Sequence, residues 1–120
     1  MTGVQTCALP IFYVDEFQSF QTLAVADMIS ELRKYRLALI VAHQHLHQLD
    51  EEVRHALIGN AGTLIAFRSG ATDAQLLARE FMNVVSEKDI IGLPNYRIYL
   101  KLMIDGMPSL PFSATTLPPH

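Results

Sequence analysis

The chain has no Gly-x-x-x-x-Gly-Lys-Ser/Thr phosphate loop, a single cysteine (Cys7), and no apolar run approaching the roughly 18 residues of a membrane-spanning helix. One cysteine supports neither a disulfide framework nor a Cys-based metal site. No internal repeat or low-complexity segment occurs, and Met1 is not followed by the basic start of a secretory signal. Positive charge is also short: 9 Lys and Arg against 12 Asp and Glu give a formal net charge of −3. That balance argues against a domain binding nucleic acid over its whole surface and leaves room only for a local basic strip. What the chain does have is 120 residues, half of them hydrophobic, enough for one domain with an ordinary core.

The most informative stretch is Phe12-Tyr13-Val14-Asp15-Glu16-Phe17-Gln18, an apolar β-type run ending in two adjacent carboxylates. A buried strand that delivers Asp-Glu at its tip suits Mg²⁺ and water activation beside a triphosphate, as in a Walker B strand. Without a phosphate loop the partner element of such a site is missing, so the expectation is a fragment. Thr2 to Ile11, TGVQTCALPI, is what the DNA string ACTGGAGTTCAGACGTGTGCTCTTCCGATC encodes, a sequencing-library adapter. Residues 1–11 are therefore expected to be a translated scar, with true coding sequence from about Phe12, unless they form a genuine short strand.

Downstream, strands and helices alternate. Ser19 is placed to cap a helix running to about Tyr35, with Val25, Met28, Ile29 and Leu32 on its apolar stripe. Leu37 to Ala42 is an aliphatic run of strand length. A helix opens at Asp50 with Glu51 and Glu52 at its positive end and stops at Gly59-Asn60. Gly62 to Phe67 reads as a third apolar strand, and Thr72-Asp73-Ala74-Gln75 as a capping box opening the next helix. A short capped helix from Ser86 ends near Leu93-Pro94. Arg97 to Ile104 then alternates strictly, and Asp105-Gly106 signals a turn into an edge strand over Ser109 to Ala114, where Pro111 is tolerable. Residues 118–120 are expected to be a disordered tail, which leaves 12–117 as the domain.

Three strands joined by helices imply parallel order, so their carboxyl ends share one edge, where open α/β sheets bind ligands. Those ends present Asp15 and Glu16, then His43 and Gln44, then Arg68. Around a γ-phosphate Asp15 would hold Mg²⁺ through water and Glu16 would accept a proton from the attacking water. Gln44 would sense the phosphate, and Arg68 would stabilise transition-state charge as a finger within its own subunit or toward a neighbour. Each has a plainer role. Asp-Glu pairs commonly end strands, and Arg68 is at least as well explained as a surface ion pair. His43, His45 and His47 alternate but lack an acid or Cys partner, so they are expected to be loop histidines rather than metal ligands. The Arg33-Lys34-Tyr35-Arg36 cluster suits a helix C-terminus.

Together, FYVDEFQSF, SELRKYRLALIVAHQHLHQL and IGNAGTLIAFRSGATDAQLLAREF resemble the C-terminal part of the ATPase domain of TraG/TraD-type conjugative coupling proteins, including the TraM recognition region. This branch belongs to the HerA/FtsK superfamily, and the resemblance runs from Phe12 to Leu117. It implies an α/β fold, a partial RecA-like P-loop NTPase domain with a mostly parallel sheet flanked by helices and a C-terminal β-hairpin. It also implies an ATP-driven, homo-hexameric parent at the cytoplasmic face of the bacterial inner membrane, passing single-stranded DNA with its relaxase into a type IV secretion channel. By that resemblance Asp15 and Glu16 match the Walker B acids, Gln44 the sensor glutamine and Arg68 the intersubunit arginine. ATP and Mg²⁺ are then cofactors of the parent, with none expected for this segment alone. The competing expectations are a fragment of another HerA/FtsK-like double-stranded DNA translocase, a non-catalytic module docking a relaxosome protein, and a plain α/β domain.

Overall fold

The structure is a computed structural model that describes residues 11–15, 23–31, 34 and 38–118. The chain divides into two compact units, residues 1–60 and 61–120.

In the first unit β1 (Ile11–Val14) pairs in parallel with β2 (Ala38–Val41), in the register Ile11↔Ala38 to Val14↔Val41. Helix α1 (Leu23–Glu31) lies between them in sequence, the crossover that parallel pairing requires. A 3₁₀ turn over Leu46–Gln48 leads into α2 (Glu51–Asn60), whose first turn carries Glu51 and Glu52 against the positive end of the helix. Ala26 and Ile29 of α1 are buried with Leu49 and with Val53 of α2; Val14, Leu39 and Val41 pack against this cluster from the strands. On α1 the buried pair is Ala26 and Ile29, while Met28 is exposed. Among the described residues Ala26, rather than Met28, thus accompanies Ile29 into the core. The side chain of Val25, and Leu32, Ser19 and the Arg33, Tyr35 and Arg36 positions, lie outside the described residues.

Among the described residues, one face of the parallel pair packs on this cluster. Residues alternate across a strand, so Ile11, Tyr13 and Ile40 share the other face, and all three are exposed. The expectation of a buried strand before Asp15 is not met on this face among the described residues.

The second unit holds β3 (Leu64–Ala66), α3 (Ala71–Glu80), α4 (Glu87–Ile91), β4 (Arg97–Lys101), β5 (Met103–Ile104), β6 (Met107–Pro108) and β7 (Phe112–Thr115). Its sheet has the order β3-β4-β7 and is antiparallel throughout. This corrects the mostly parallel sheet: among the described residues β1 and β2 alone are parallel. Crossover handedness dictates parallel order only for strands of one sheet, and β3 takes its partner from the C-terminal hairpin instead.

That hairpin is present in two tiers. Asp105 and Gly106 both have positive φ (50° and 78°), as a two-residue type I′ connection between β5 and β6 demands. The pairing Met103↔Pro108 becomes Leu100↔Phe112 one tier down, so the return strand carries one extra residue near Leu110-Pro111. This is a β-bulge, and it places Pro111 where no ladder N–H is needed. Ser109 joins the tiers: its N–H donates to the Leu102 carbonyl at 2.7 Å, and its Oγ accepts from the Leu102 N–H at 2.9 Å.

Around this sheet Ala66, Ala74, Leu77, Ala78, Phe81, Val85, Ile90, Leu93 and Ile98 are buried. Helix α3 starts earlier than the Thr72 capping box would have it. Gly70 is its N-cap without a side-chain cap, and the Ala74 N–H already donates to the Gly70 carbonyl at 2.9 Å. The reciprocal box belongs to α4: Asp89 N–H donates to Ser86 Oγ at 3.2 Å and Ser86 N–H to Asp89 Oδ2 at 3.0 Å. These contacts, the Ser86 backbone first and its side chain second, hold the Asp89 carboxyl below its ordinary value. At the tail Leu117 is exposed, and residues 119–120 lie outside the described residues.

Candidate functional site

The parallel pair brings two of the expected site residues to one edge. The last register pair is Val14↔Val41, and the Ala42 N–H donates to the Val14 carbonyl at 2.9 Å. Asp15 therefore leaves β1 beside Ala42, two residues before Gln44, at the carboxyl ends of both strands. Asp15 and Gln44 are exposed there, while His43 between them is half-buried. The aliphatic runs cause this placement: β1 and β2 fix Val14 and Val41 against the core, and the first polar residues after each run emerge at the tip together. Glu16, the expected base, lies outside the described residues.

Arg68 belongs to the second unit, two residues beyond β3, and is exposed. Its neighbours are open to solvent: Ser69 Oγ donates to the Phe67 carbonyl at 3.0 Å, and Phe67 itself is exposed. His45 and His47 lie in the connection after β2 rather than along a strand. The 3₁₀ turn at Leu46–Gln48 brings their rings to 5.5 Å between centroids, tilted by 54°.

A carboxylate and an amide on adjacent strand ends, both open to solvent, are a donor set that fits a hydrated divalent cation and a phosphate. Asp15 would offer a hard oxygen of the kind Mg²⁺ prefers, and an amide such as Gln44 both donates and accepts. Sequence reasoning did not anticipate two features of the second unit: the strained Tyr96 (φ 66°) and the cross-strand fork of Arg97 to Ser113 and Thr115. The signal for the second was available, in the Arg-x-Tyr-x-Lys alternation of Arg97, Tyr99 and Lys101.

No helix among the described residues is long and apolar enough to cross a membrane. No curated protein matches the chain. Among solved structures it is similar to the bacterial conjugative coupling protein TrwBdeltaN70 in its unbound monoclinic form, with a TM-score of 0.71 and 17% identity over 92% of this chain and 32% of that one. It is also similar to the genome packaging NTPase B204 from Sulfolobus turreted icosahedral virus 2 in complex with AMPPCP, with a TM-score of 0.65 and 14% identity over 96% of this chain and 56% of that one. The chain thus spans about a third of the coupling protein and little more than half of the packaging enzyme, and at these identities the likeness is one of fold, mixed α/β. The family model for the TraM recognition site of TraD and TraG matches residues 11–92, more than half of the sequence. The chain belongs to the family defined by the TraM recognition site of the conjugative coupling proteins TraD and TraG.

Proposed function

We propose that the chain is the Walker B half of a RecA-like coupling ATPase, which in its parent protein drives single-stranded DNA with its relaxase toward a type IV secretion channel. The observation that carries this is the Val14 carbonyl to Ala42 N–H bond at 2.9 Å, which sets Asp15 and the segment leading to Gln44 side by side at the carboxyl ends of two parallel strands. Ligands of open α/β sheets bind outside that edge. Asp15 would hold Mg²⁺ through water, Glu16 would take the proton of the attacking water, and Gln44 would orient that water or sense the γ-phosphate. Bound Mg-ATP would supply the phosphoryl electrophile and the charge these groups are arranged to meet. Arg68, exposed beyond β3, would act as the arginine finger toward a neighbouring subunit of a homo-hexamer.

The exposed face of Ile11, Tyr13 and Ile40 supports the same conclusion. A parallel sheet is ordinarily covered on both faces, and a phosphate-loop half of the domain is what would cover this one. The matched family description adds a relaxosome protein as a docking partner of the parent. Operation at the cytoplasmic face of the bacterial inner membrane follows from the same role.

The test is Glu16→Gln in the full-length parent. Nucleotide binding should persist and turnover should fall to background; unchanged hydrolysis removes Glu16 from the base role. A gene continuing upstream of Phe12 without an in-frame phosphate loop would refute the motor as a whole.

A further inference from the structure

The formal charge of −3 is carried by residues 1–60, where seven carboxylates face four Lys and Arg, while residues 61–120 hold five of each. Within that neutral half, residues 90–104 contain Arg97 and Lys101 and no Asp or Glu, and β7 carries no charge at all. Two of the five cations of residues 61–120, Arg97 and Lys101, thus share β4, with no acid near them in sequence.

Arg97, Tyr99 and Lys101 alternate along β4 and so share one face. The register Arg97↔Thr115 and Tyr99↔Ser113 lays two hydroxyls of β7 alongside them. Arg97 Nη1 donates to Thr115 Oγ1 at 3.2 Å and Nη2 to Ser113 Oγ at 3.3 Å, which holds the guanidinium across the strands. These acceptors are neutral, so they fix the group without cancelling its charge, and they leave donors of the fork directed to solvent. Lys101 differs. Its Nζ donates to the Glu80 carbonyl at 3.1 Å, so it ties the end of α3 to the sheet.

The open end of the strip is Tyr96, whose φ of 66° lies in the left-handed region that disfavours a bulky side chain. Two donors hold it there: Thr116 N–H at 2.6 Å and Thr116 Oγ1 at 3.2 Å both reach the Tyr96 carbonyl. Glycine or asparagine would occupy this position with less strain. The chain instead keeps a tyrosine, 46% exposed, directly before Arg97 in sequence. Strain that persists where a side chain is displayed points to use of that side chain.

We infer that Tyr96 and Arg97, backed by Tyr99, form a contact strip for single-stranded nucleic acid: the Tyr96 ring stacks on a base and the Arg97 guanidinium takes an adjoining phosphate. Exposed aromatics interleaved with cations select single strands, because a duplex hides the faces of its bases. The identity of the cargo rests on the proposed motor function; the chemistry of the strip rests on residues 96–116 alone.

The experiment measures fluorescence anisotropy of a labelled oligothymidine of about 20 nucleotides with the 120-residue chain, over salt from about 50 mM upward. Tyr96→Gly should weaken binding about tenfold. Its unfolding midpoint should be unchanged or raised, since glycine accepts positive φ. Arg97→Ala should weaken binding and flatten the slope of log K against log salt by about 0.7, one phosphate contact on a single strand. Lys88→Ala, which removes an equal charge from α4, should stay within about twofold of the parent chain. Failure of the unaltered chain to bind, wild-type affinity in Tyr96→Gly, or an equal loss in Lys88→Ala would each overturn the assignment. Displacement by polyglutamate but not by unlabelled oligonucleotide would assign the strip to an acidic protein and overturn it too. None of these outcomes bears on Asp15 or Glu16, whose test is nucleotide turnover, so the two conclusions fail separately.

Discussion

Two phenylalanines in the second unit offer the same substitution in opposite surroundings. Phe81 is fully buried at 0% exposure, directly after α3, where its N–H donates to the Leu77 carbonyl at 2.9 Å. Phe67, just past β3 and beside Arg68, is 56% exposed. Phe81→Ala removes a ring from a closed site and leaves a cavity, at a cost of about 3–5 kcal/mol. Phe67→Ala gives up less than half of a transfer term of about 1.5–3 kcal/mol and opens no cavity, so it should cost about 1 kcal/mol or less. A chain of 120 residues has a total stability of about 6–18 kcal/mol, so the first change removes a large share and the second a small one. Urea unfolding followed by far-ultraviolet circular dichroism should separate their midpoints by about 0.7 M or more, given slopes of about 1–3 kcal/mol per molar. Equal losses, or a larger loss at Phe67, would refute the packing described for β3 and α3. The comparison also matters for Arg68: a small effect at Phe67 means that the segment carrying the proposed finger is open rather than wedged into the core.

The remaining predictions concern caps and turns. Ser86→Ala should cost about 1 kcal/mol in thermal or chemical unfolding, because it removes the acceptor for the Asp89 N–H at the start of α4. Asp89 contributes stability with a definite sign: its folded carboxyl titrates below its unfolded value, so the contribution is complete above about pH 4 and is lost as pH falls through the lowered value. The gap between the unaltered chain and Asp89→Asn should accordingly be constant from pH 7 to about pH 4 and narrow below it; a gap independent of pH contradicts the capping box. Gly106→Ala should destabilise by about 1 kcal/mol, since φ of 78° strains any Cβ although nothing lies within 4 Å of it, and a neutral result would argue against the type I′ connection.

Much of the local structure was legible in advance. The aliphatic runs before Asp15 and before His43 became β1 and β2, and Glu51 to Asn60 became α2, because apolar run length and helix-end chemistry act over neighbouring residues. The Asp105-Gly106 turn followed from its residue types for the same reason. Thr72 misled because a favourable capping pattern competes with how early the chain is already helical, and Gly70 begins the helix here. The partner of β3 was not legible at all. A short run such as Leu64–Ala66 fits either a parallel or an antiparallel neighbour, and only the hairpin that follows selects the second.

The sequence by itself determined the order of elements, the carboxylates at the tip of the first strand, and a family resemblance specific enough to agree with the match over residues 11–92. These depend on residue identity and near neighbours. Tertiary structure alone decided that Ile11, Tyr13 and Ile40 stand on an exposed face, and that Arg97 spans two strands to Ser113 and Thr115. Each depends on strand register, and register is set by contacts between residues far apart in the chain.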